Sequence, residues 1–290
     1  MRWDQFRTSS NVEDRRGMGV PGGAGGLGMG AIVVLGLIGW ALGIDPRILI
    51  SGAEMMAGGD SSGYQQQQQG RQGAPDDQAG RFASAILGNT EDVWKVVLPQ
   101  QTGRQYDPPK MVLFSGATRS GCGGAQSAMG PFYCPLDQTL YLDLSFFQEM
   151  QSKFKASGDF AYAYVIAHEV GHHVENELGI LERAQARQRE VGGAEANQIS
   201  VRVELMADCL AGVWARHSNE RYQSIEPGDI ENAINAAQAI GDDRLQQRSQ
   251  GRIVPDSFTH GSSAQRVRWL TTGLKSGQVQ ACDTFKASNL

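Results

Sequence analysis

Apolar residues dominate one stretch of the chain, residues 161–176, which reads A-Y-A-Y-V-I-A-H-E-V-G-H-H-V-E-N. Its length and its apolar composition predict a helix that is buried on most sides. Histidine and glutamate side chains interrupt the apolar run near its middle. Burying such side chains costs free energy unless they are paired with other groups. The pattern therefore predicts that partners for these side chains lie elsewhere in the fold.

The remaining hydrophobic pattern predicts an α+β fold, mainly helical with a small sheet, over residues 81–290. Apolar residues at helical spacing, with capping residues and glycines at the ends, indicate the helices. Short runs of β-branched and aromatic residues indicate the strands. The predicted helices are residues 82–87, a second helix capped by residues 89–92, then 145–155, 159–179, 194–217, 226–240 and 262–274; the predicted strands are 111–114, 132–135 and 139–142. Residues 181–190 are predicted as a charged connection.

The first 80 residues have a different composition. Residues 1–21 are polar and are predicted as a cytoplasmic tail. Residues 22–44 carry no charge and are long enough to span a bilayer, which predicts a transmembrane anchor. Residues 45–80 are predicted as a flexible polar linker. A cleaved signal peptide and a buried helix are the alternatives for the apolar run.

Arginines before the apolar run favour a cytoplasmic N-terminus. The sequence therefore predicts a single-pass membrane protein with its folded domain outside the cytoplasm; the family resemblance described below implies the bacterial inner membrane, with the domain on the periplasmic or extracytoplasmic side. The net charge is −5 and no lysine or arginine run stands out, which argues against nucleic acid as a partner.

Four cysteines lack C-x-x-C spacing, which argues against a structural zinc knuckle. An even number on an exported chain favours two disulfides. Cys122 and Cys134 bracket a glycine-rich loop, and pairing them leaves Cys209 with Cys282. Sequence alone allows three connectivities.

His168, Glu169 and His172 form an H-E-x-x-H pattern. Residues four apart lie on one face of a helix, so both histidines can bind one zinc ion (Zn²⁺). Glu169 then lies beside the metal, where a general base can take a proton from water. The alternative is a chance match, with two histidines whose hydrogen bonds are satisfied in the core.

A catalytic zinc ion needs a third protein ligand. Glu204 and Asp208, in E-L-M-A-D, share one face of an otherwise apolar predicted helix. We expect Glu204 to bind the metal and Asp208 to accept a hydrogen bond from a histidine ligand. An exposed charged stripe that includes Arg202 is the alternative.

Other candidates have weaker support. Glu175 is predicted to point away from the metal, and His173 is rotated by roughly 100° from His172 on a helix. His217 is predicted to be solvated. His260 lies in a loop before the last helix, where it can reach the cleft and stabilise an oxyanion. It can equally be a residue that hydrogen-bonds its own turn.

These residues carry a resemblance to known enzymes. H-E-V-G-H-H, E-L-M-A-D-C-L-A-G-V-W, G-P-F-Y-C-P-L-D-Q-T-L-Y-L-D-L-S-F-F and F-T-H-G-S-S-A-Q-R-V-R-W resemble the YpfJ-type neutral zinc metallopeptidase family of bacteria. The first two segments, and T-H-G-S-S-A-Q-R-V, are also similar to HtpX-like and CAAX-prenyl membrane peptidases. Those gluzincins bind zinc with two histidines and a downstream glutamate. They have several membrane segments where this sequence has one, so their intramembrane substrates are not implied.

The sequence thus predicts a zincin-like metallopeptidase domain that hydrolyses a peptide or protein substrate. Glu169 and His260 are the predicted catalytic residues, and Tyr133 and Tyr141 are further candidates for the oxyanion. A strand at 132–135 or 139–142 is expected to pair with an extended substrate. The alternatives are a zinc-stabilised, membrane-tethered binding or scaffold module without activity, and a cell-wall amidase with the same zinc chemistry.

Overall fold

The computed structural model describes residues 1–18 and 70–290. Within them the fold is mainly helical with a small mixed sheet, which confirms the predicted α+β class. The helices are α1 Gln78–Thr102, α2 Ser145–Phe154, α3 Asp159–Glu177, α4 Ile180–Val191, α5 Gly193–Tyr222, α6 Asp229–Ala239, α7 Asp242–Gln250 and α8 Ser263–Ser276. The strands are β1 Val12–Asp14, β2 Arg71–Gln72, β3 Lys110–Phe114, β4 Ala117–Ser120, β5 Gly123–Gln126, β6 Phe132–Cys134 and β7 Thr139–Asp143.

The predicted membrane anchor, residues 22–44, and most of the predicted linker lie outside the described residues. Among the helices of residues 1–18 and 70–290, none has the length and apolar character needed to cross a bilayer.

Five strands form the main sheet in the order β2-β1-β3-β7-β6. β3 pairs in parallel with both β1 and β7, and β6 pairs antiparallel with β7. β7 is therefore an interior strand, and the prediction that it pairs with a substrate is wrong because both of its edges are already hydrogen-bonded. β6 lies at the edge of the sheet.

Residues 1–16, here called the N-terminal arm, belong to the same compact unit as residues 70–290. Phe6 and Val12 are buried in the main hydrophobic core. The prediction that this segment is a tail separate from a domain beginning at residue 81 is therefore wrong. The predicted linker also extends too far, since β2 and the start of α1 lie within it.

Helix α1 is continuous where the sequence predicts a break and a new cap at residues 89–92. The reason is that these polar side chains have other partners. Asn89 accepts a hydrogen bond from the indole of Trp214 at 2.8 Å. The Thr90 hydroxyl donates to the carbonyl of Leu87, so neither side chain caps a helix.

Two polar helices were not predicted. α4 replaces the expected charged connection, and α7 follows α6 directly. Both are rich in charged and amide side chains and lack the broad apolar stripe that identifies a helix from sequence. Gly179 and Gly192 mark the limits of α4, each with a left-handed φ of 68°.

Glycines let the central helices approach closely. A Cβ atom on Gly273 of α8 would lie 1.8 Å from the carbonyl oxygen of Cys209 on α5. One on Gly212 of α5 would lie 2.3 Å from the carbonyl oxygen of Leu270. The backbones of α5 and α8 therefore lie close together, and side chains from the two helices can contact each other.

Two disulfides join Cys122 to Cys134 and Cys209 to Cys282. The predicted pairing is confirmed. The first ties the turn between β4 and β5 to β6, and the second ties α5 to the segment after α8.

Candidate metal centre

Helix α3 carries the H-E-x-x-H pattern and packs against α5 at a glycine. A Cβ atom on Gly171 would lie 2.9 Å from the carbonyl oxygen of Ala207. This close approach brings the histidine face of α3 against the face of α5 that carries Glu204 and Asp208. The glycine within H-E-V-G-H therefore has a packing role at the site.

The structure brings together the three residues that the sequence predicts as metal ligands. Nε2 of His168 lies 3.2 Å from Oε2 of Glu204, and Nε2 of His172 lies 3.6 Å from Oε1. One potential ligand atom from each residue lies within 4.8 Å of the others. We call these three residues the ligand trio.

The trio fits a zinc ion. Donor atoms at 2.0–2.2 Å from tetrahedral zinc lie roughly 3.4 Å apart, close to the separations found here. Two imidazoles and one carboxylate are also a ligand set of catalytic zinc sites. Within residues 1–18 and 70–290, no fourth metal-ligating side chain joins the group.

A carboxylate contacts Nδ1 of each histidine of the trio and orients its ring. Nδ1 of His168 lies 2.9 Å from Asp208, and Nδ1 of His172 lies 2.8 Å from Glu175. An ionised carboxylate only accepts hydrogen bonds, so each Nδ1 is the donor. Nε2 of each ring is then the atom available to a metal.

The charges within the trio are strongly coupled. Burial opposes charge on His168, but hydrogen bonds with Asp208 and Glu204 outweigh it and raise the pKa of His168 to about 10. Burial also opposes ionisation of Glu204, but the two histidines hold its pKa far below the usual range. A metal ion binding here would replace protons, so its binding should release protons and weaken at low pH.

Asp208 lies at the centre of a buried network. It also accepts hydrogen bonds from Tyr164 at 2.6 Å and from two nitrogens of Arg266, each at 2.9 Å. Burial acts against its ionisation, but Arg266 and His168 hold its pKa below the usual value. Arg266 is itself only 3% exposed, so each side chain neutralises a charge that would otherwise be buried alone.

Glu175 has a role that sequence reasoning missed. It stays outside the trio, as predicted, but its Oε2 contacts Nδ1 of His172 and orients the ring. Oε1 of Glu175 is buried and has no hydrogen-bond partner in the described part of the chain. The spacing of three residues along one helix was the available signal.

Glu169 lies next to the trio and is 8% exposed. It directly follows His168 on α3, and the positive charges of His168 and His172 favour its ionised form, whereas the charge of Glu204 opposes it. Among the hydrogen bonds of the described residues, none involves this carboxylate. Burial raises the pKa of Glu169, which makes it a better proton acceptor than an ordinary surface carboxylate.

His260 lies in the loop before α8, beside the first half of α5. A Cβ atom on the next residue, Gly261, would lie 3.2 Å from Leu205. Asp242 holds this loop: its Oδ2 accepts backbone hydrogen bonds from Thr259, His260 and Gly261 at 2.7, 2.7 and 3.1 Å.

Oδ1 of Asp242 lies 3.3 Å from Nδ1 of His260. This contact raises the pKa of His260 more than any other influence, and the charge of Glu204 adds to the effect. The imidazole is half exposed. Asp242 therefore holds His260 through both its backbone and its ring and favours the protonated form of the imidazole, and it is a partner that the sequence did not reveal.

The two tyrosine candidates for the oxyanion have other partners. The Tyr133 hydroxyl contacts Nδ1 of His173 at 3.0 Å, and the Tyr141 hydroxyl donates to Asp137 at 2.8 Å. Both hydroxyls are thus engaged within the fold, whereas the His260 imidazole is half exposed. His217, predicted to be solvated, instead bonds the carbonyl oxygen of Gly277 at 2.9 Å.

A buried helix pair that presents two histidines and a glutamate, with a second glutamate beside them, defines a candidate zinc-hydrolase centre. The chain belongs to the family described as "Putative neutral zinc metallopeptidase", whose model matches residues 1–285. The resemblance seen in the sequence motifs is therefore confirmed.

Bacterial relatives share much of the sequence. "Uncharacterized protein YpfJ" of Escherichia coli (strain K12) is 48% identical over 300 aligned positions, which cover 99% of this chain and 100% of the relative. "Uncharacterized protein Mb2605" of Mycobacterium bovis is 46% identical over 226 positions, covering 73% and 74% of the two chains. No solved structure matches the chain.

Proposed function

We propose that this protein is a zinc-dependent metallopeptidase that hydrolyses peptide bonds with an activated water molecule. The observation that carries this proposal is the ligand trio on α3 and α5, with the buried carboxylate of Glu169 next to His168 on α3. Family membership supports the same class of reaction.

His168, His172 and Glu204 would hold the zinc ion. When bound, the ion would supply a Lewis acid that polarises a substrate carbonyl and lowers the pKa of water to roughly 7. Glu169 would accept the proton of the attacking water and pass it to the leaving amine. Asp208 and Glu175 would keep the two imidazole rings in place during this step.

His260 would stabilise negative charge that develops on the carbonyl oxygen of the substrate. Its position near Glu204 and its raised pKa support this role. Asp242 would fix the orientation of the ring through Nδ1. Nε2 of His260 would then face the substrate.

Strand β6 is our candidate for binding an extended substrate chain. It is one of the two edge strands of the described sheet, and its Tyr133 contacts His173 on α3. An edge strand offers unpaired backbone donors and acceptors to a peptide. Such pairing would bind many sequences, with pockets for side chains adding specificity.

The ligand set argues against a purely structural metal site. A zinc ion that only stabilises a binding module is usually closed by four protein ligands. In the described residues the group has three members. Three protein ligands leave a coordination position for water or substrate, as hydrolysis requires.

We also propose that the domain works outside the cytoplasm, attached to the membrane by residues 22–44. The two disulfides support an oxidising compartment. The uncharged composition and length of residues 22–44 support membrane attachment.

Removing and restoring the metal tests the proposed activity. We expect dialysis of the full-length protein against a chelator to abolish cleavage of denatured casein, and one equivalent of zinc to restore it. The measurement is peptide release together with zinc content in the same sample. Cleavage that persists after the zinc content has fallen to zero would contradict the proposal. A fully zinc-loaded protein that cleaves neither casein nor a mixture of denatured bacterial proteins would favour the binding module.

A further inference from the structure

The N-terminal arm takes part in the main sheet through its strand β1. β1 lies between β2 and β3. Val12 pairs with Met111 and Asp14 with Leu113 on one side, and Glu13 pairs with Gln72 on the other. This part of the sheet is therefore built from segments that precede and follow the predicted membrane anchor in the sequence.

The chain leaves the folded unit and returns to it at one place. The backbone amide of Gly70 donates to the Glu13 side chain at 2.8 Å. A Cβ atom on Gly70 would lie 2.6 Å from the carbonyl oxygen of Asp14. Arg16 also binds Asp77, at 2.6 Å, so the end of the arm and the segment that begins at Gly70 are held together.

The arm is held by contacts that a detachable tail would not need. Glu91 of α1 is 1% exposed, and its carboxylate binds three residues of the arm. Arg7 and Ser9 each bind it at 2.6 Å, and Asn11 binds it at 2.8 Å. Without the arm, Glu91 would lose these three partners, and removing a partner from a buried charge is destabilising. The arm and the domain must therefore fold together.

We infer that residues 1–16 and residues 70–290 lie on the same side of the membrane. Paired strands are less than 6 Å apart, whereas the hydrocarbon core of a bilayer is roughly 30 Å thick. Strands that are hydrogen-bonded to each other therefore cannot lie on opposite sides of a bilayer. The predicted arrangement, with the N-terminus in the cytoplasm and the domain outside it, is incompatible with this sheet.

The inference does not depend on the proposed peptidase activity. It rests on the pairing of β1 with β2 and β3 and on the contacts of the arm with Glu91.

Thiol labelling of the full-length protein tests this inference. All four native cysteines are in disulfides, so an introduced cysteine supplies a unique thiol. Ser10 in the arm and Ser288 near the C-terminus are both exposed. The variants Ser10→Cys and Ser288→Cys would each be treated with a membrane-impermeant maleimide, in intact spheroplasts and after permeabilisation with detergent.

We expect the two variants to behave alike: both label in intact spheroplasts, or both label only after permeabilisation. Labelling of one variant in intact spheroplasts, with the other protected until permeabilisation, would overturn the inference. Full labelling of both in denaturant checks that each thiol is free, and retained zinc content checks that each variant is folded. Protection of both variants would support the inference but contradict the proposed location outside the cytoplasm.

Discussion

The variant Glu169→Gln is expected to lose nearly all peptidase activity while it keeps its zinc ion. Glutamine has the same size and can still accept a hydrogen bond, but it cannot take up the proton of the attacking water. A positioned general base contributes about 100-fold to 10,000-fold to a rate, so kcat should fall by at least about 100-fold. The measurement is kcat on casein-derived peptides, with zinc content determined for the same samples.

Glu182→Gln provides the matched control. Glu182 lies in the first turn of the neighbouring helix α4 and is exposed. The same chemical change there should leave both activity and zinc content unaltered. A Glu169→Gln protein that is fully loaded with zinc and cleaves at the wild-type rate would refute the assigned mechanism.

The variant Asp208→Asn is expected to weaken both zinc binding and folding. His168 would lose the carboxylate that orients its ring, and such second-sphere changes weaken metal affinity by about 10-fold to 100-fold. Arg266, 3% exposed, would lose its counter-charge inside the protein. Breaking a buried ion pair in this way costs about 3–5 kcal/mol in the free energy of unfolding.

Glu175→Gln separates these two effects. It removes the carboxylate behind His172 but leaves the Asp208–Arg266 pair intact. We expect weaker zinc binding with a smaller loss of stability. Competition with a chromogenic chelator measures zinc affinity, and denaturant unfolding of the metal-free protein measures stability. Wild-type values of both quantities for Asp208→Asn would show that Asp208 has no role in the site.

The ligand trio was predictable because spacing within a helix is fixed. Residues four apart share a face whatever the rest of the fold does, which relates His168 to His172 and Glu204 to Asp208. The apolar residues around both pairs indicated that these polar groups are buried and must find partners. Only the pairing of the two helices had to be assumed.

The surrounding partners were not predictable in the same way. Arg266 and Asp242 belong to other helices, α8 and α7. Tyr164 lies on α3, four residues before His168, but its contact with Asp208 depends on how α3 and α5 cross. Those crossings are close because Gly171 and Gly273 lack side chains at the contacts. One sequence signal pointed to Arg266, since it is the arginine of the T-H-G-S-S-A-Q-R segment that resembles gluzincins.

The N-terminal arm illustrates why polar segments are hard to interpret from sequence. Its charged composition is typical of a solvated tail. Arg7 has a buried partner in Glu91, and Phe6 and Val12 enter the core, but these partners are more than 80 residues away or on other elements. Local composition carries no information on such distant pairing.

The central claim is that His168, His172 and Glu204 bind one catalytic zinc ion. Anomalous diffraction at the zinc absorption edge, from crystals of the full-length protein, tests it most directly. We expect a single zinc peak at 2.0–2.2 Å from Nε2 of both histidines and from a carboxylate oxygen of Glu204. We also expect the remaining coordination position to be filled by water. A zinc peak elsewhere would contradict the assignment of these three residues as ligands. A fourth protein side chain that closes the coordination sphere would contradict a catalytic role for the zinc ion.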